Sequence, residues 1–292
     1  MTWRRTVNAA LSRATGFELR RAGAVGRRRP PGPGDRLLEA PAFILSTVRS
    51  GSTLLRVLLD SHSQIHSPPE LHLRDLAVQL KSPYAQRSLA EIDLDVTRLE
   101  YLLWDRVLHR ELQDSGKRLL VNKTPNDVFI VDRIRACWPD ARFLFLLRHP
   151  AEIARSRQDV RPQDTAEQNA AMVLRYGEAL EQARSAYDGL TIRYEDLATQ
   201  TPAVAQRLCA FLEVGWEPEM LDYGRFDHGR YRPGLGDWKD KIKSGRVQPP
   251  APLPAPEDVP PALRGLSEAW GYLPRAGPAP TPASSLDLPH AS

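Results

Sequence analysis

Phe43-Ile44-Leu45-Ser46-Thr47-Val48-Arg49-Ser50-Gly51-Ser52-Thr53-Leu54-Leu55-Arg56-Val57-Leu58-Leu59 is the stretch on which the reading of this chain turns. Residues 43–48 form a short, mostly apolar run with β-branched members, the pattern of a buried parallel strand. Arg49-Ser50-Gly51-Ser52-Thr53 follows, and Leu54, Leu55, Leu58 and Leu59 then recur at helical spacing. A strand, a turn of small residues and a helix together aim backbone N–H groups and a positive helix end at an anion. Arg49 adds a two-pronged donor, and Ser50, Ser52 and Thr53 add hydroxyls. The loop is not that of the nucleoside triphosphatases, which requires Gly-x-x-x-x-Gly-Lys-Ser/Thr. Here Ser46 stands at the first glycine position and Ser52 at the lysine position.

Outward from this loop the chain alternates strands and helices. Ser67-Pro68-Pro69-Glu70-Leu71-His72-Leu73 reads as a rigid turn with Glu70 at the start of a helix through Leu80. Residues 95–113 predict a long helix with Val96, Leu99, Leu103, Val107 and Leu108 facing inward, ended by Gly116. Residues 118–122 read as a second strand, running into Lys123-Thr124-Pro125, and 127–137 as a helix. The clearest strand is 141–147, which ends at Arg148-His149-Pro150. Helices follow at 151–158 and 164–187, the second with Val173, Tyr176, Leu180 and Tyr187 on one face. A fourth strand, 190–194, leads into Glu195-Asp196-Leu197 and a helix at 202–213. This order predicts an α/β domain with a mostly parallel, doubly wound sheet, whose ligands sit at the carboxyl ends of the strands. Three polar clusters fall at such ends: Arg49-Ser50, Lys123-Thr124 and Arg148-His149.

Composition bounds the rest. A chain of 292 residues, 41% hydrophobic and 26% charged, fits a globular domain with loose ends. The net charge of +4 is mild, and much of the excess lies in residues 1–29, where eight arginines face the single acid Glu18. That segment reads as a solvated basic extension, contact with an anionic surface being the other reading. No basic run interleaved with aromatics points to nucleic acid. Cys137 and Cys209 lack metal-ligand spacing and read as core residues in a reducing compartment. No apolar stretch approaches the roughly 20 residues that cross a bilayer, and no signal-like apolar run opens the chain, so the expectation is a cytoplasmic protein. Pro233-Gly234-Leu235-Gly236-Asp237-Trp238-Lys239 is a glycine-rich loop with a basic, aromatic finish. Residues 247–261 are proline-rich, 261–270 predict an amphipathic helix that docks on the domain, and the remainder reads as disordered.

With these residues in place the chain resembles the sulfotransferases that use 3′-phosphoadenosine-5′-phosphosulfate (PAPS), over roughly residues 42–245. The resemblance implies a P-loop-like three-layer α/β fold, its central sheet flanked by helices. The implied organisation is a basic flexible extension at 1–35, a sulfotransferase domain at 36–246, a proline-rich segment with docked helix at 247–275 and a disordered tail at 276–292. By that resemblance Arg49, Ser50, Gly51, Ser52 and Thr53 form the loop for the donor's 5′-phosphate, and Arg148 with Ser156 grips its 3′-phosphate. Lys123 matches a catalytic lysine, with Arg49 sharing its task of supplying positive charge. Tyr194 belongs to the family's Tyr-Glu-Asp-Leu segment, and Gly236, Trp238 and Lys239 to its late Gly-Asp-Trp-Lys loop.

The departures place the chain within the family. Arg49 stands where the animal cytosolic enzymes have lysine, as in the branch with a Pro-Arg-Ser-Gly-Ser-Thr loop. The late loop has Tyr231-Arg232-Pro233 in place of the Arg-Lys-Gly lead-in, so its basic contact falls to Arg232. Lys123-Thr124-Pro125 lacks the histidine that serves the cytosolic enzymes as base. The segment from Pro68 to Leu73 is instead similar to one in the sulfotransferase domains of bacterial polyketide assembly lines, and the tyrosylprotein sulfotransferases also place a glutamate base in this region. The resemblance therefore implies Glu70 as the base, with His72 its competitor. The implied reaction moves a sulfuryl group from PAPS to a hydroxyl of a small metabolite or carrier-bound acyl chain, without a metal. Two other readings remain: a metal-dependent P-loop kinase of small molecules, which would want a lysine that this loop lacks, and a nucleotide-binding protein without catalysis.

Overall fold

The computed structural model describes residues 36–229 and 242–274. The basic extension at 1–35, the late loop with Arg232, Gly236, Trp238 and Lys239, and the tail at 276–292 lie outside the described residues. The strands are β1 (Ala42–Ser46), β2 (Ile65–His66), β3 (Leu119–Lys123), β4 (Arg142–Leu147) and β5 (Gly189–Arg193). They form one sheet in the order β2-β3-β1-β4-β5, every pairing parallel. β2 is an edge strand of two residues, too short to leave a pattern in the sequence.

The helices are α1 (Ser52–Asp60), α2 (Pro83–Ala90), α3 (Val96–Ser115), α4 (Val131–Cys137), α5 (Pro150–Gln158), α6 (Ala166–Ala186), α7 (Tyr194–Thr199), α8 (Thr201–Leu212) and α9 (Pro261–Ala269). They cover both faces of the sheet, which is why its central strands read as continuous apolar runs. Phe43, Leu45, Phe143 and Phe145 pack on one face against α3, α6 and α9. Ala42, Ile44, Leu144 and Leu146 pack on the other against α1 and α8. Cys137 and Cys209 are buried free thiols.

Two sequence-based expectations differ from the structure. The inward face of α3 is Tyr101, Trp104, Asp105, Leu108 and Leu112, while Leu103 is exposed. Asp105 is inside because it accepts the Leu37 and Leu38 amides and the Trp138 indole N–H, so an acid helps set the face that apolar periodicity was expected to set alone. Glu70 does not open a helix through Leu80. The chain makes only a single 3-10 turn, Leu73–Asp75, entered through His72 in the left-handed region at φ 48°. Beyond it, Leu76 C=O accepts the Trp104 indole N–H at 3.1 Å, and Val78 N–H donates to Glu100 at 3.2 Å. The segment thus spends its backbone groups on α3 rather than on a helix of its own.

α9 lays Leu263 and Leu266 into the core beside α6, where Gly177 leaves room for the Leu266 side chain. Trp270 donates to Glu181 at 3.1 Å, and Arg193 at the end of β5 donates to the Trp270 carbonyl at 2.8 Å. Leu263 is fully buried, so Leu263→Ala should lower unfolding free energy by about 2–5 kcal/mol. Urea denaturation reads this, and a loss well under about 1 kcal/mol would show that α9 does not anchor the fold.

Candidate active site

β1 sits between β3 and β4, so the chain leaves it first to one side of the sheet and later to the other. Such a reversal opens a crevice at the strand's carboxyl end. The β1–α1 loop fills that crevice, with Arg49 and Gly51 both left-handed, at φ 63° and 86°. A Cβ at Gly51 would strike the Tyr194 ring, so only glycine fits. α1 then begins with no side-chain cap and no acid in its first turn, leaving its first amides and positive end for an anion. Ser50 Oγ donates inward to Thr47 O at 2.7 Å and closes the turn. Ser52 is buried and Thr53 half-buried. The buried Thr47 hydroxyl has no partner among the described residues.

On the β4 side, Arg148 donates to the Arg49 carbonyl at 2.8 Å and lies 4.6 Å from the centroid of the Tyr194 ring. Its other end is 3.6 Å from the buried Glu152, which also holds Arg155 at 2.6 Å. Arg148 Nε is buried without a partner among the described residues. Arg49 Nε donates to Ser156 Oγ at 3.4 Å. These groups line a cavity of about 280 Å³, closed on further sides by Leu54, Tyr223 and Arg246. Arg49 and Arg148 thus both line this one cavity. Arg246 is a cation that the sequence reading missed: its backbone carbonyl accepts the Tyr223 hydroxyl at 2.9 Å, a tie without sequence pattern.

On the β3 side, Lys123 is 1% exposed and donates to the carboxylate of Glu70, itself 10% exposed. The register pairs Lys123 with Ile44 of β1, a few residues before the loop. Left-handed His72 turns the chain back, so His72 Nε2 comes within 3.6 Å of the free oxygen of Glu70. That meeting would not occur on a regular helix, where positions two apart diverge. The His72 amide donates to Thr124 Oγ1 at 3.4 Å, which ties this turn to the end of β3.

Beneath the pair, Asn122 donates to the fully buried Asp127 at 2.7 Å. Burial pushes the Asp127 carboxyl up to about 8 against the Asn122 bond, the charge of Glu70 adds to the rise, and Lys123 opposes it. Elsewhere Glu195 binds the His149 amide at 3.1 Å and the Tyr272 hydroxyl at 2.6 Å. The segment after β5 is thereby fastened to β4 and to the chain beyond α9. His149 itself caps α5, with burial lowering its ring pKa.

A sequence model described as the sulfotransferase family matches residues 41–218, and the chain belongs to that family. The sulfotransferase domain of the curacin biosynthetic pathway superposes with a TM-score of 0.58 at 25% identity, covering 80% of this chain and 98% of that domain. The sulfotransferase domain of the Synechococcus PCC 7002 olefin synthase gives 0.61 at 23% identity, over 82% and 98%. Among curated proteins, the nodulation protein NoeE of Sinorhizobium fredii is 33% identical over 128 residues, 39% of this chain and 30% of that protein. Protein-tyrosine sulfotransferase 2 of Gallus gallus is 22% identical over 202 residues, 62% of this chain and 53% of that protein. The matches thus span about a third to a half of these curated relatives.

The state of Asp127 is testable. Its carboxyl keeps its proton to about pH 8 in the fold but releases it near the ordinary value of 3.8 in the unfolded chain. Its contribution to stability is therefore complete below about pH 4 and is lost as pH rises toward about 8. Asp127→Asn, neutral throughout, should match the wild type at pH 4 and exceed it by at least about 1 kcal/mol at pH 8. Parallel stability profiles of the two proteins would show that Asp127 is ionised in the fold.

Proposed function

We propose that the chain transfers the sulfuryl group of PAPS to a hydroxyl on a small metabolite or carrier-bound acyl chain, with Glu70 as base. The observation that carries this reading is the Lys123–Glu70 pair at the end of β3, beside the anion loop. A protein that only binds nucleotide has no need to bury an ammonium and a carboxylate there. Family membership, together with Ser52 at the lysine position, sets aside the kinase reading.

The residues present fit the donor. PAPS carries anionic groups at two ends of a nucleoside, and the crevice offers two kinds of anion grip. The uncapped first turn of α1, with Ser52 and Thr53, suits the 5′ end, Ser50 and Gly51 shaping the loop. Arg148, whose Nε has no partner among the described residues, and Ser156 suit the 3′-phosphate. Arg49 is assigned to that group as well, because its guanidinium reaches Ser156. Tyr194 flanks the nucleoside.

Glu70 has two oxygens with different surroundings. Lys123 occupies one, and the other faces His72 across a gap too long for a direct hydrogen bond. An acceptor hydroxyl there gives its proton to Glu70 as its oxygen bonds to sulfur. Lys123 and the loop amides meet the phosphate oxygen as its bond to sulfur breaks and the nucleotide bisphosphate leaves. His72 orients the carboxylate and acceptor in this scheme.

Glu70→Gln should retain affinity for adenosine 3′,5′-bisphosphate while single-turnover transfer falls by about 10²–10⁴-fold. His72→Ala should be the milder change, and a nearly silent Glu70→Gln beside an inactive His72→Ala would transfer the role of base to His72. For the donor grip, Arg148→Ala should weaken bisphosphate binding by about 1.5–3 kcal/mol, read by calorimetry. Undiminished affinity would mean that Arg148 only braces the loop through the Arg49 carbonyl.

A further inference from the structure

Beyond Glu70, three elements meet: the turn Leu73–Asp75, the turn Pro125–Phe129 and α6. Phe129 lies at their junction, and the Arg74 and Arg175 guanidiniums stand 5.1 and 5.0 Å from its ring centroid. Tyr176 packs edge-on against the same ring at 4.7 Å, and its hydroxyl donates to Asn126 at 2.5 Å. Arg74 sits two residues past His72, on the turn entered from Glu70, and Arg74, Arg157, Arg175 and Glu70 all act electrostatically on the Tyr176 hydroxyl. Arg157 is neutralised by Asp164 at 2.6 Å. Arg74 and Arg175 are exposed, and among the described residues neither has a carboxylate at ion-pair distance. The nearby acids are otherwise engaged: Glu70 by Lys123, and Asp75 facing His72 at 3.8 Å.

Two like charges gathered at one aromatic ring repel each other, and stacking on the ring offsets only part of that cost. An incoming anion reverses the sign of the interaction. The guanidinium fork matches a carboxylate or a phosphate in shape as well as charge. We propose that Arg74 and Arg175 on Phe129 form the acceptor-recognition site, and that the acceptor is an anionic hydroxy compound, carrying its hydroxyl to Glu70 and a carboxylate or phosphate to the two arginines. This rests on the reading of Glu70 as the place where the acceptor hydroxyl reacts. It goes further by giving the acceptor a charge.

The test uses matched pairs that differ only in the anion. 3-Hydroxybutyrate is compared with its methyl ester, and 3-hydroxybutyryl phosphopantetheine with 3-hydroxybutyryl pantetheine. Each is titrated by calorimetry into the full chain saturated with adenosine 3′,5′-bisphosphate, so that the nucleotide's own anion sites are filled. The anionic member of at least one pair should bind at least about tenfold more tightly than its neutral partner. The pair that discriminates tells a free carboxylate from a carrier-arm phosphate. In the double variant Arg74→Gln, Arg175→Gln the ratio should fall to about one, with bisphosphate affinity and melting temperature unchanged because both side chains are exposed. Equal binding within both pairs, or a preference that survives the double substitution, overturns the proposal. A wild-type chain that fails to bind the bisphosphate would strike at the sulfotransferase reading instead. The same titrations without nucleotide then still decide whether these arginines select an anion.

Discussion

No side chain fits at Gly51, and the site is built around that exclusion. The Tyr194 ring occupies the space a Cβ would take. Arg148 lies over the same ring and donates to the Arg49 carbonyl. One glycine, one ring and one guanidinium thus fasten together the carboxyl ends of β1, β4 and β5. The left-handed turn is held by its surroundings, which is how locally unfavourable backbone persists in a folded chain. With the turn held, the first amides of α1 have a fixed direction before any ligand arrives. The segment that begins with Tyr194 extends this bracing, since Glu195 joins the His149 amide to Tyr272 beyond α9. A helix far along the chain therefore supports the strand end that carries Arg148.

The pair on the other side of β1 obeys a different economy. Withdrawing a carboxylate and an ammonium from water costs several kcal/mol for each ion, and their attraction returns that only with good geometry. Lys123 and Glu70 are better understood as a chemical arrangement than as a stabilising one. Removing either would strip the other of this opposite charge in a buried place, a larger loss than the pair's own net contribution. Asp127 fits beneath them because burial keeps it protonated near neutral pH. An ionised third group at that depth would compete with Glu70 for Lys123.

The architecture was legible where local pattern and tertiary role coincide. The central strands are buried on both faces, so their sequences are apolar without interruption, and the polar residues ending them stand out. The loop after β1, Lys123 and Arg148 stood out at strand ends for that reason, whereas Ser156, inside α5, was named only through the resemblance. The turn after Pro69 was not. Its course follows from Trp104 and Glu100 reaching across from α3, and such bonds leave no periodicity in the residues they restrain. The same holds for the convergence of His72 on Glu70, which depends on one left-handed residue. Arg246 entered the cavity wall unannounced, because a tie to Tyr223 has no local signature. Arg74 and Arg175 are 101 positions apart in sequence and meet only through Phe129.

The two sides of β1 also differ in how their cations are held. On the nucleotide side, Arg148 is anchored by a backbone carbonyl and Glu152, and Arg155 by Glu152 as well. Charges fixed in this way need little reorganisation when a ligand binds, the condition under which electrostatic stabilisation is most effective. On the side proposed for the acceptor, Arg74 and Arg175 rest on a ring face and are otherwise exposed. Ring faces hold a guanidinium by position rather than by a directed bond, so it retains freedom to turn. A donor common to a family rewards a rigid grip, whereas acceptors that vary in length and shape reward a mobile one. The fold places the rigid grip at the end of β4, beside the braced turn, and the proposed mobile one on exposed positions of α6 and of the turn Leu73–Asp75. On the proposal made above, replacing the two exposed arginines changes which acceptor binds, while the donor loop, braced by Tyr194 and Arg148, keeps its shape.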